Sequence, residues 1–527
     1  MDNRTLRKLP IGVQTFEKMR KDGYVYVDKT KYIYELVNAS SQYFLSRPRR
    51  FGKSLFLSTL RAYWEGKREL FEGLDIVALE EDNKEAWQVY PVFYFDFNKD
   101  NFQREMALED VLNNHLKKWE KEYGCAAGEA SLAARFQNLL VKASEQTGKH
   151  CVVLVDEYDK SLLETIQNPT LAEHNKAVFK GFFSTLKSYD EYLQFVFITG
   201  VTKFSKVSIF SDLNQLKDIS LKFEYAGICG ITEEELKETF QPEIQAMAEE
   251  QGLSVEGCLA KLRQTYDGYH FHPKGEGVYN PFSLLNALDD REYNSYWFAT
   301  GTPTFLVQRL HDIHFDIRRI ANKTLYADEA ILSDYRADNP DPVPLLYQTG
   351  YLTIADYDAS GRVYTLAFPN EEVEYGFLRN LLPVYTPGYN VSFGTDVFTL
   401  RRYVEQGNLD GMRDILTALF ASIPYADTDK APFEHYFQSV IFILFTLMGQ
   451  MVKCEVHSAK GRADCIVETK DYVYIFEFKL DKSAEEALAQ IEEKQYALPY
   501  GADSRQLYKI GVSFDSASRS LAGWKEG

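Results

Sequence analysis

Between Tyr24 and about Ala226, short apolar runs alternate with longer segments in which apolar residues recur at helical spacing. The runs Gln42–Ser46, Val92–Phe97, Cys151–Val155 and Gln194–Thr199 predict strands, and Leu108–Tyr123, Leu132–Thr147 and Asn175–Tyr189 predict helices. Most of the strand runs are apolar almost throughout rather than alternating, the pattern of strands covered on both faces. A βαβα rhythm of this kind predicts an α/β domain with a mostly parallel sheet.

The rhythm changes after Gly230. Thr232 with Glu235 three residues later has the capping-box pattern of a helix start, and a mainly helical region follows to about Asn339. Asp267-Gly268-Tyr269 and Asn280-Pro281-Phe282 predict turns or helix starts within it. A short helix from Pro344 to Gly350 leads into Tyr351–Ala355, a turn at Asp356–Gly361 and a strand at Val363–Phe368, consistent with a winged-helix-like lid. The polar stretch 426–432 ends in proline and predicts a linker. The longest apolar run, Val440–Met448, falls well short of the roughly 20 residues that cross a bilayer; it predicts a buried helix within Phe433–Gly449. The expected division is an α/β domain at 1–226, a helical and winged-helix-like lid region at 227–390, a helical connector and linker at 391–430, and a second α/β domain at 431–527.

Composition narrows the class. At 527 residues the chain is too long for one core, and its 45% hydrophobic and 26% charged residues are ordinary for globular domains. The N-terminus leads into no apolar stretch, so a soluble, cytoplasmic protein with no membrane partner is expected. Six cysteines form no C-x-x-C pair and read as small core residues in a reducing compartment. His270 and His272 lack a further ligand at helical spacing, so no metal is expected there. A net charge of −18 opposes a surface coated for indiscriminate DNA binding, yet leaves room for a local basic channel.

Two segments carry chemistry. In the first, Arg47-Pro48-Arg49-Arg50-Phe51-Gly52-Lys53-Ser54 joins the first predicted strand to a helical run and ends as a Walker A loop does. Gly52 would let the backbone curl around phosphates, Lys53 would reach the β- and γ-phosphates, and Ser54 would sit on Mg²⁺, with the helix N-terminus adding its dipole. Arg47 stands where the usual loop has its first glycine. The bland alternative is an ordinary helix start. A partner lies downstream: the apolar run ending Val155-Asp156-Glu157 has the Walker B pattern, with Asp156 as a Mg²⁺-shell ligand and Glu157 orienting the attacking water. Together these predict nucleotide binding by Arg50, Gly52, Lys53, Ser54 and Asp156. Thr199 either touches the γ-phosphate or merely ends a strand. Asp28 and Lys29 are candidates for the adenine end.

In the second segment, two β-rich runs flank Lys470-Asp471, predicting a tight hairpin. With those two residues as the turn, Thr469 faces Tyr472 and Asp464 falls opposite Glu477, with Cβ atoms about 5 Å apart. Lys479, two residues on, points to the same side, and Ile466 and Ile475 continue the ladder. Carboxylates this close repel unless a cation or a proton intervenes, and oxygen ligands suit Mg²⁺ or Mn²⁺. Such a metal would activate water while Lys479 positions or deprotonates the nucleophile. Glu434, at the start of the Phe433–Gly449 helix, is a third candidate metal ligand; Gln490, Lys494 and Tyr496 could meet the same face. The alternative is a surface hairpin with a Glu–Lys pair, which the apolar run Tyr472–Phe478 fits poorly.

These residues, with Tyr158-Asp159, Ile198–Ser205, Tyr266–Tyr269, Tyr279–Ser283 and Gln348–Leu352, closely resemble the bacterial AAA-ATPase-like proteins that carry a C-terminal PD-(D/E)xK nuclease-superfamily domain. The resemblance covers nearly the whole chain, and the family's loop is arginine-rich as here. It implies a P-loop parallel-sheet ATPase core, a helical or winged lid and a restriction-endonuclease-like α/β domain, with ATP and Mg²⁺ as cofactors. Nucleic acid, DNA first, is the implied partner, and a homo-oligomer is compatible with such a core. Arg309 and Arg318 are arginine-finger candidates by charge alone. The expected function is an ATPase coupled to a metal-dependent nuclease. The alternative is a nucleotide-controlled switch or scaffold whose C-terminal fold binds without cutting; a P-loop kinase fits Asp156-Glu157 less well.

Overall fold

The computed structural model describes residues 7–98, 100–125, 130–203, 215–297, 304–313, 315–333, 341–386, 393–421, 433–448, 451–458, 461–515, 517–518 and 520–527. Two compact units emerge: Met1–Trp297 with Tyr326–Glu371, and Phe298–Leu325 with Glu372–Gly527.

The first unit is built on a parallel sheet in the order β2-β3-β4-β1-β5. Its strands are β1 Gln42–Ser46, β2 Val92–Asp96, β3 Cys151–Asp156, β4 Leu193–Gly200 and β5 Lys217–Asp218. Every residue of β1 and β3 is buried, including the polar Gln42, Ser46 and Asp156 at their ends, as strands covered on both faces are. In space β4 lies between β1 and β3, so the loop after β1 and the acidic end of β3 are two strands apart at one edge of the sheet. The expected helices are present at Ala107–Glu122 and Leu132–Thr147. The third begins earlier than its apolar spacing predicts, at Pro169, because the Asn168 side chain accepts the Leu171 N–H and Pro169 occupies the first helical turn.

A helical region follows. The Thr232 capping box forms in full and opens the helix Glu233–Thr239. Short strands β6 Ile231–Thr232 and β7 Val278–Tyr279 pair, and Asn280 caps the helix Pro281–Asp290 with its side chain. Leu236, Phe240, Met247, Leu262 and Leu284 form the core here. Further on, the helix Val343–Thr349 ends at Gly350 and leads to the hairpin of β9 Thr353–Asp358 and β10 Val363–Ala367. A third strand, β8 Leu325–Ala327, joins this hairpin.

The second unit holds a mixed sheet of β11 Met451–Ser458, β12 Gly461–Glu468, β13 Tyr472–Leu480, β14 Gln506–Asp515 and β15 Ser520–Glu526, in that order. Only β13 and β14 are parallel neighbours, and the crossover between them carries the helix Ala484–Glu493. Alternation along β13 splits its residues between two faces. Val473 and Ile475 pack with Ile466, Ile491 and Tyr496, while the Phe476 ring meets Phe445, 5.5 Å between centroids. Phe445 belongs to the helix Phe433–Leu447, buried from Gln438 to Met448 apart from a half-exposed Thr446. Among the described residues no helix is long and apolar enough to cross a membrane. The expected linker at 426–432 lies outside the described residues.

Candidate active sites

The loop after β1 is held by its arginine. Arg47 is fully buried, its guanidinium donating to the carbonyls of Ser46 (2.9 Å), Ser220 (2.8 Å) and Tyr225 (2.9 Å) and lying 3.9 Å above the Phe271 ring. So the residue in the first-glycine position clamps the loop to the chain beyond β5. Arg50 takes positive φ, 69°, and its guanidinium sits 3.7 Å over the Phe282 ring. Gly52, at φ 91°, immediately precedes the helix Lys53–Trp64. A side chain is strongly disfavoured at that φ. Lys53 is buried, and its ammonium donates to the Arg47 and Pro48 carbonyls, each at 3.0 Å.

Asp156 ends β3 beside Asp96 of β2. The Tyr94 hydroxyl donates to its Oδ2 at 3.2 Å, while Oδ1 is buried without a hydrogen-bond partner. Burial pushes this carboxyl up to about 6; a hydrogen bond with the Ser54 side chain works against that rise and places Ser54 and Asp156 side by side. Glu157 takes φ 49°, uncommon for a residue with a side chain, at the turn that follows. Thr199 is fully buried and its hydroxyl donates to the Leu45 carbonyl at 3.0 Å. Donating to a phosphate instead would mean exchanging this bond.

Next to Gly52 opens a mostly apolar cavity of about 570 Å³ including its mouth, lined by Lys29, Phe51, Leu55, Cys229 and Ile231 among others. The Lys29 ammonium donates to the Gly227 carbonyl (2.8 Å) and to both Glu235 oxygens (2.6 Å). Asp28 instead accepts from Thr30 and from the Asp75 N–H. The sequence pattern marked Asp159 without a role; it is buried and accepts from the Val201 N–H and from the Thr202 N–H and hydroxyl. Tyr94 was not marked at all. Both stand within three residues of a strand-end acid, the signal that would have found them.

In the second unit the two-residue turn forms: Thr469 N–H donates to the Tyr472 carbonyl at 2.9 Å. The register runs Glu468–Val473, Val467–Tyr474, Ile466–Ile475 and Cys465–Phe476. One step on, at Asp464 and Glu477, the ladder gives way to a side-chain bond, Asp464 Oδ2 accepting the Phe478 N–H at 2.9 Å. Glu477 is buried; its Oε1 accepts from Lys479 Nζ at 2.8 Å and from Gln490 Nε2, and its Oε2 has no hydrogen-bond partner. Burial first, and then the Asp464 charge, push Glu477 up to about 7, with Lys479 and a hydrogen bond from the Asp464 backbone N–H opposing. Tyr496 meets Gln490 at 3.3 Å, whereas Lys494 pairs with Glu493 at the surface. The side chain of Glu434 lies outside the described residues, and among those described no three acidic, histidine or cysteine side chains gather around one point. Arg318 is buried, held by Asp316 and Gln438; Arg309 lies near the end of the helix Thr304–Asp312.

Each site sets a buried carboxylate oxygen without a donor beside a second polar group, Ser54 in one and Asp464 in the other. Such an arrangement fits a hard divalent cation. A parallel sheet with a lysine-bearing loop facing an acidic strand end, joined to a mixed sheet with an acid–acid–lysine hairpin, defines an ATPase-like unit linked to a nuclease-like one. A family model described as Predicted AAA-ATPase matches residues 10–210, and one described as PD-(D/E)XK nuclease superfamily matches residues 432–524. A protein of Azotobacter chroococcum mcd 1, "Uncharacterized protein in vnfD 5'region", is 37% identical over 529 residues, covering 98% of either chain. The chain belongs to the AAA-ATPase-like proteins that carry a C-terminal PD-(D/E)XK nuclease-superfamily domain.

Arg47→Gly, which restores the usual loop glycine, is expected to lower stability by about 3 kcal/mol, since it leaves buried carbonyls unpaired and a void above Phe271. Thermal unfolding of the full chain measures this. Unchanged stability with tighter ATP binding would contradict the clamp.

Proposed function

We propose that this protein binds and hydrolyses ATP in its N-terminal unit and cleaves phosphodiester bonds of nucleic acid, DNA in the first instance, in its C-terminal domain. The observation that carries the reading is the buried, donor-less carboxylate oxygen at each site, Asp156 Oδ1 and Glu477 Oε2, with a lysine close in the chain to each cluster. The division into 1–226, 227–390, 391–430 and 431–527 goes with it.

On this reading Lys53 exchanges the Arg47 and Pro48 carbonyls for the β- and γ-phosphate oxygens, and Arg50 and Gly52 shape the cradle. Ser54 and Asp156 would hold Mg²⁺, and Glu157 would orient the attacking water. The purine base would lie in the apolar cavity that opens beside Gly52 and reaches Lys29. In the C-terminal domain Asp464 and Glu477, joined by Glu434, would hold Mg²⁺ or Mn²⁺. When bound, this cation supplies Lewis-acid stabilisation of the phosphate and lowers the pKa of water. Lys479, whose Nζ donates to Glu477 Oε1 at 2.8 Å, would orient the nucleophile and offset phosphate charge. A second reading, a nucleotide-controlled switch whose C-terminal fold binds without cutting, draws on the net charge of −18, which disfavours broad contact with DNA.

Lys53→Ala is expected to abolish ATP turnover, and an unaltered rate would remove the cradle. Glu477→Ala is expected to abolish Mg²⁺-dependent cleavage of plasmid or single-stranded DNA and to leave ATPase activity largely intact. No cleavage by the unmodified chain with Mg²⁺ or Mn²⁺, with or without ATP, would favour the switch. The Glu477 carboxyl, raised to about 7, must lose its proton to hold a cation. One proton therefore competes with the metal, and Mn²⁺ affinity at the C-terminal site should fall about 10-fold from about pH 8 to about pH 6. Calorimetric titration reads this directly, and a flat profile would contradict the assignment of Glu477.

A further inference from the structure

The loop after β1 carries three arginines whose surroundings differ. Arg47 is buried and donates to three backbone carbonyls. Arg49 is exposed. Arg50 is half-buried, and its guanidinium lies 3.7 Å above the Phe282 ring. Among the described residues no carboxylate pairs with Arg49 or Arg50. Burial first, and then the neighbouring Arg49 charge, hold the Arg50 guanidinium below its ordinary pKa. Two cations side by side with no acid between them favour an incoming polyanion.

The backbone at Arg50 is strained. Its φ of 69° lies in the left-handed region, where a Cβ crowds the following carbonyl oxygen and glycine is the natural occupant. Strain held at one position of a binding loop points to a use for the side chain there. The ring face that Arg50 meets is a weaker partner than an anion, and phosphate oxygens can displace it. Phe282 itself is fixed, because the Asn280 side chain accepts the Phe282 and Ser283 N–H groups at the helix start. Pro281, its neighbour, lines the cavity that opens beside Gly52. The guanidinium is thus parked next to the cradle, on the same loop as Lys53.

The geometry points to Arg50 as a catalytic residue acting in cis: it leaves the Phe282 face when ATP fills the cradle, and donates to a γ-phosphate oxygen and to the oxygen bridging the β- and γ-phosphorus. The inference rests on the reading of this loop as an ATP cradle. In the reaction the water oxygen bonds to the γ-phosphorus, and the bond from that phosphorus to the bridging oxygen breaks. The electron pair stays on ADP, one water proton remains on the phosphate formed, and the other passes to solvent. Negative charge gathers on the bridging oxygen as this happens, and a guanidinium placed there stabilises the transition state more than the ground state. Its planar fork reaches two oxygens at once, which the Lys53 ammonium is not shaped to do. Arg318, a candidate by charge, is instead held by Asp316 and Gln438.

The test measures ATP turnover and ligand affinity on the full chain. Arg50→Ala is expected to lower kcat by about 10³-fold and to leave the affinity for a non-hydrolysable ATP analogue nearly unchanged. ADP with aluminium fluoride, which mimics the phosphoryl group in flight, should lose affinity in step with kcat. Arg49→Ala should lose far less turnover than Arg50→Ala. Arg50→Gly, which relieves the positive φ, should match Arg50→Ala in turnover while keeping its melting temperature. Mixing Arg50→Ala chains with Lys53→Ala chains should restore no turnover, because the arginine and the lysine serve the same nucleotide. An undiminished kcat in Arg50→Ala overturns the inference and leaves the cradle standing. So does a loss confined to nucleotide affinity, or one that follows a falling melting temperature in Arg50→Gly. Recovery on mixing also overturns it, since the arginine would then act on a second copy's nucleotide. If the unmodified chain binds no ATP analogue, the cradle reading fails and the inference with it.

Discussion

A carboxylate buried on a strand, with one oxygen left without a hydrogen-bond partner, is the constraint that both halves of this protein share. Desolvation penalises the charged form, and hydrogen bonds or a cation must offset it. Raising Asp156 from 3.8 to about 6 corresponds to about 3 kcal/mol of preference for the protonated form. A folded protein stable by only about 5–15 kcal/mol gains nothing from that arrangement unless an incoming charge uses it. In the N-terminal unit the strand end faces a loop whose lysine bonds only to backbone carbonyls. In the C-terminal domain the second carboxylate is a neighbour across a hairpin.

The scaffolds differ in how they enforce this. A fully buried parallel strand, β3, brings Asp156 to the carboxyl edge of its sheet, and Arg47 pins the opposing loop through three carbonyls. The hairpin of β12 and β13 relies on register instead. A two-residue turn sets which residues face each other, and a helix seated over Gly511 supplies the amide that holds Glu477. Rigid strands thus carry the acids, whereas their orientation is left to loops and to one helix.

What could be read from the chain alone follows from how local each signal is. The run Gln42–Ser46 coincides with β1, and the Thr232 and Glu235 pair forms its capping box, because both are encoded within a few residues. The Lys470-Asp471 turn is equally local, and parity along the strands then carries the inference out to Asp464 and Glu477. The helix start at Pro169 escaped because the Asn168 cap precedes the apolar periodicity. Sheet order was not legible: β4 enters between β1 and β3 although it follows both in the chain. Nor was the role of Arg47, whose partners Ser220 and Tyr225 lie far away in sequence. Gln490 was legible as a residue that could meet the face of the hairpin, but its bond to Glu477 depends on the close approach of helix and sheet at Gly511, in a third element.

The most direct test counts cations. Mn²⁺ bound per full-length chain, measured by calorimetry with and without a non-hydrolysable ATP analogue, should show one class of site that needs no nucleotide and disappears in Glu477→Ala. A second class should appear only with the analogue and disappear in Asp156→Ala. Binding that is insensitive to both substitutions, or no binding at all, would mean that the two buried oxygens are not cation ligands.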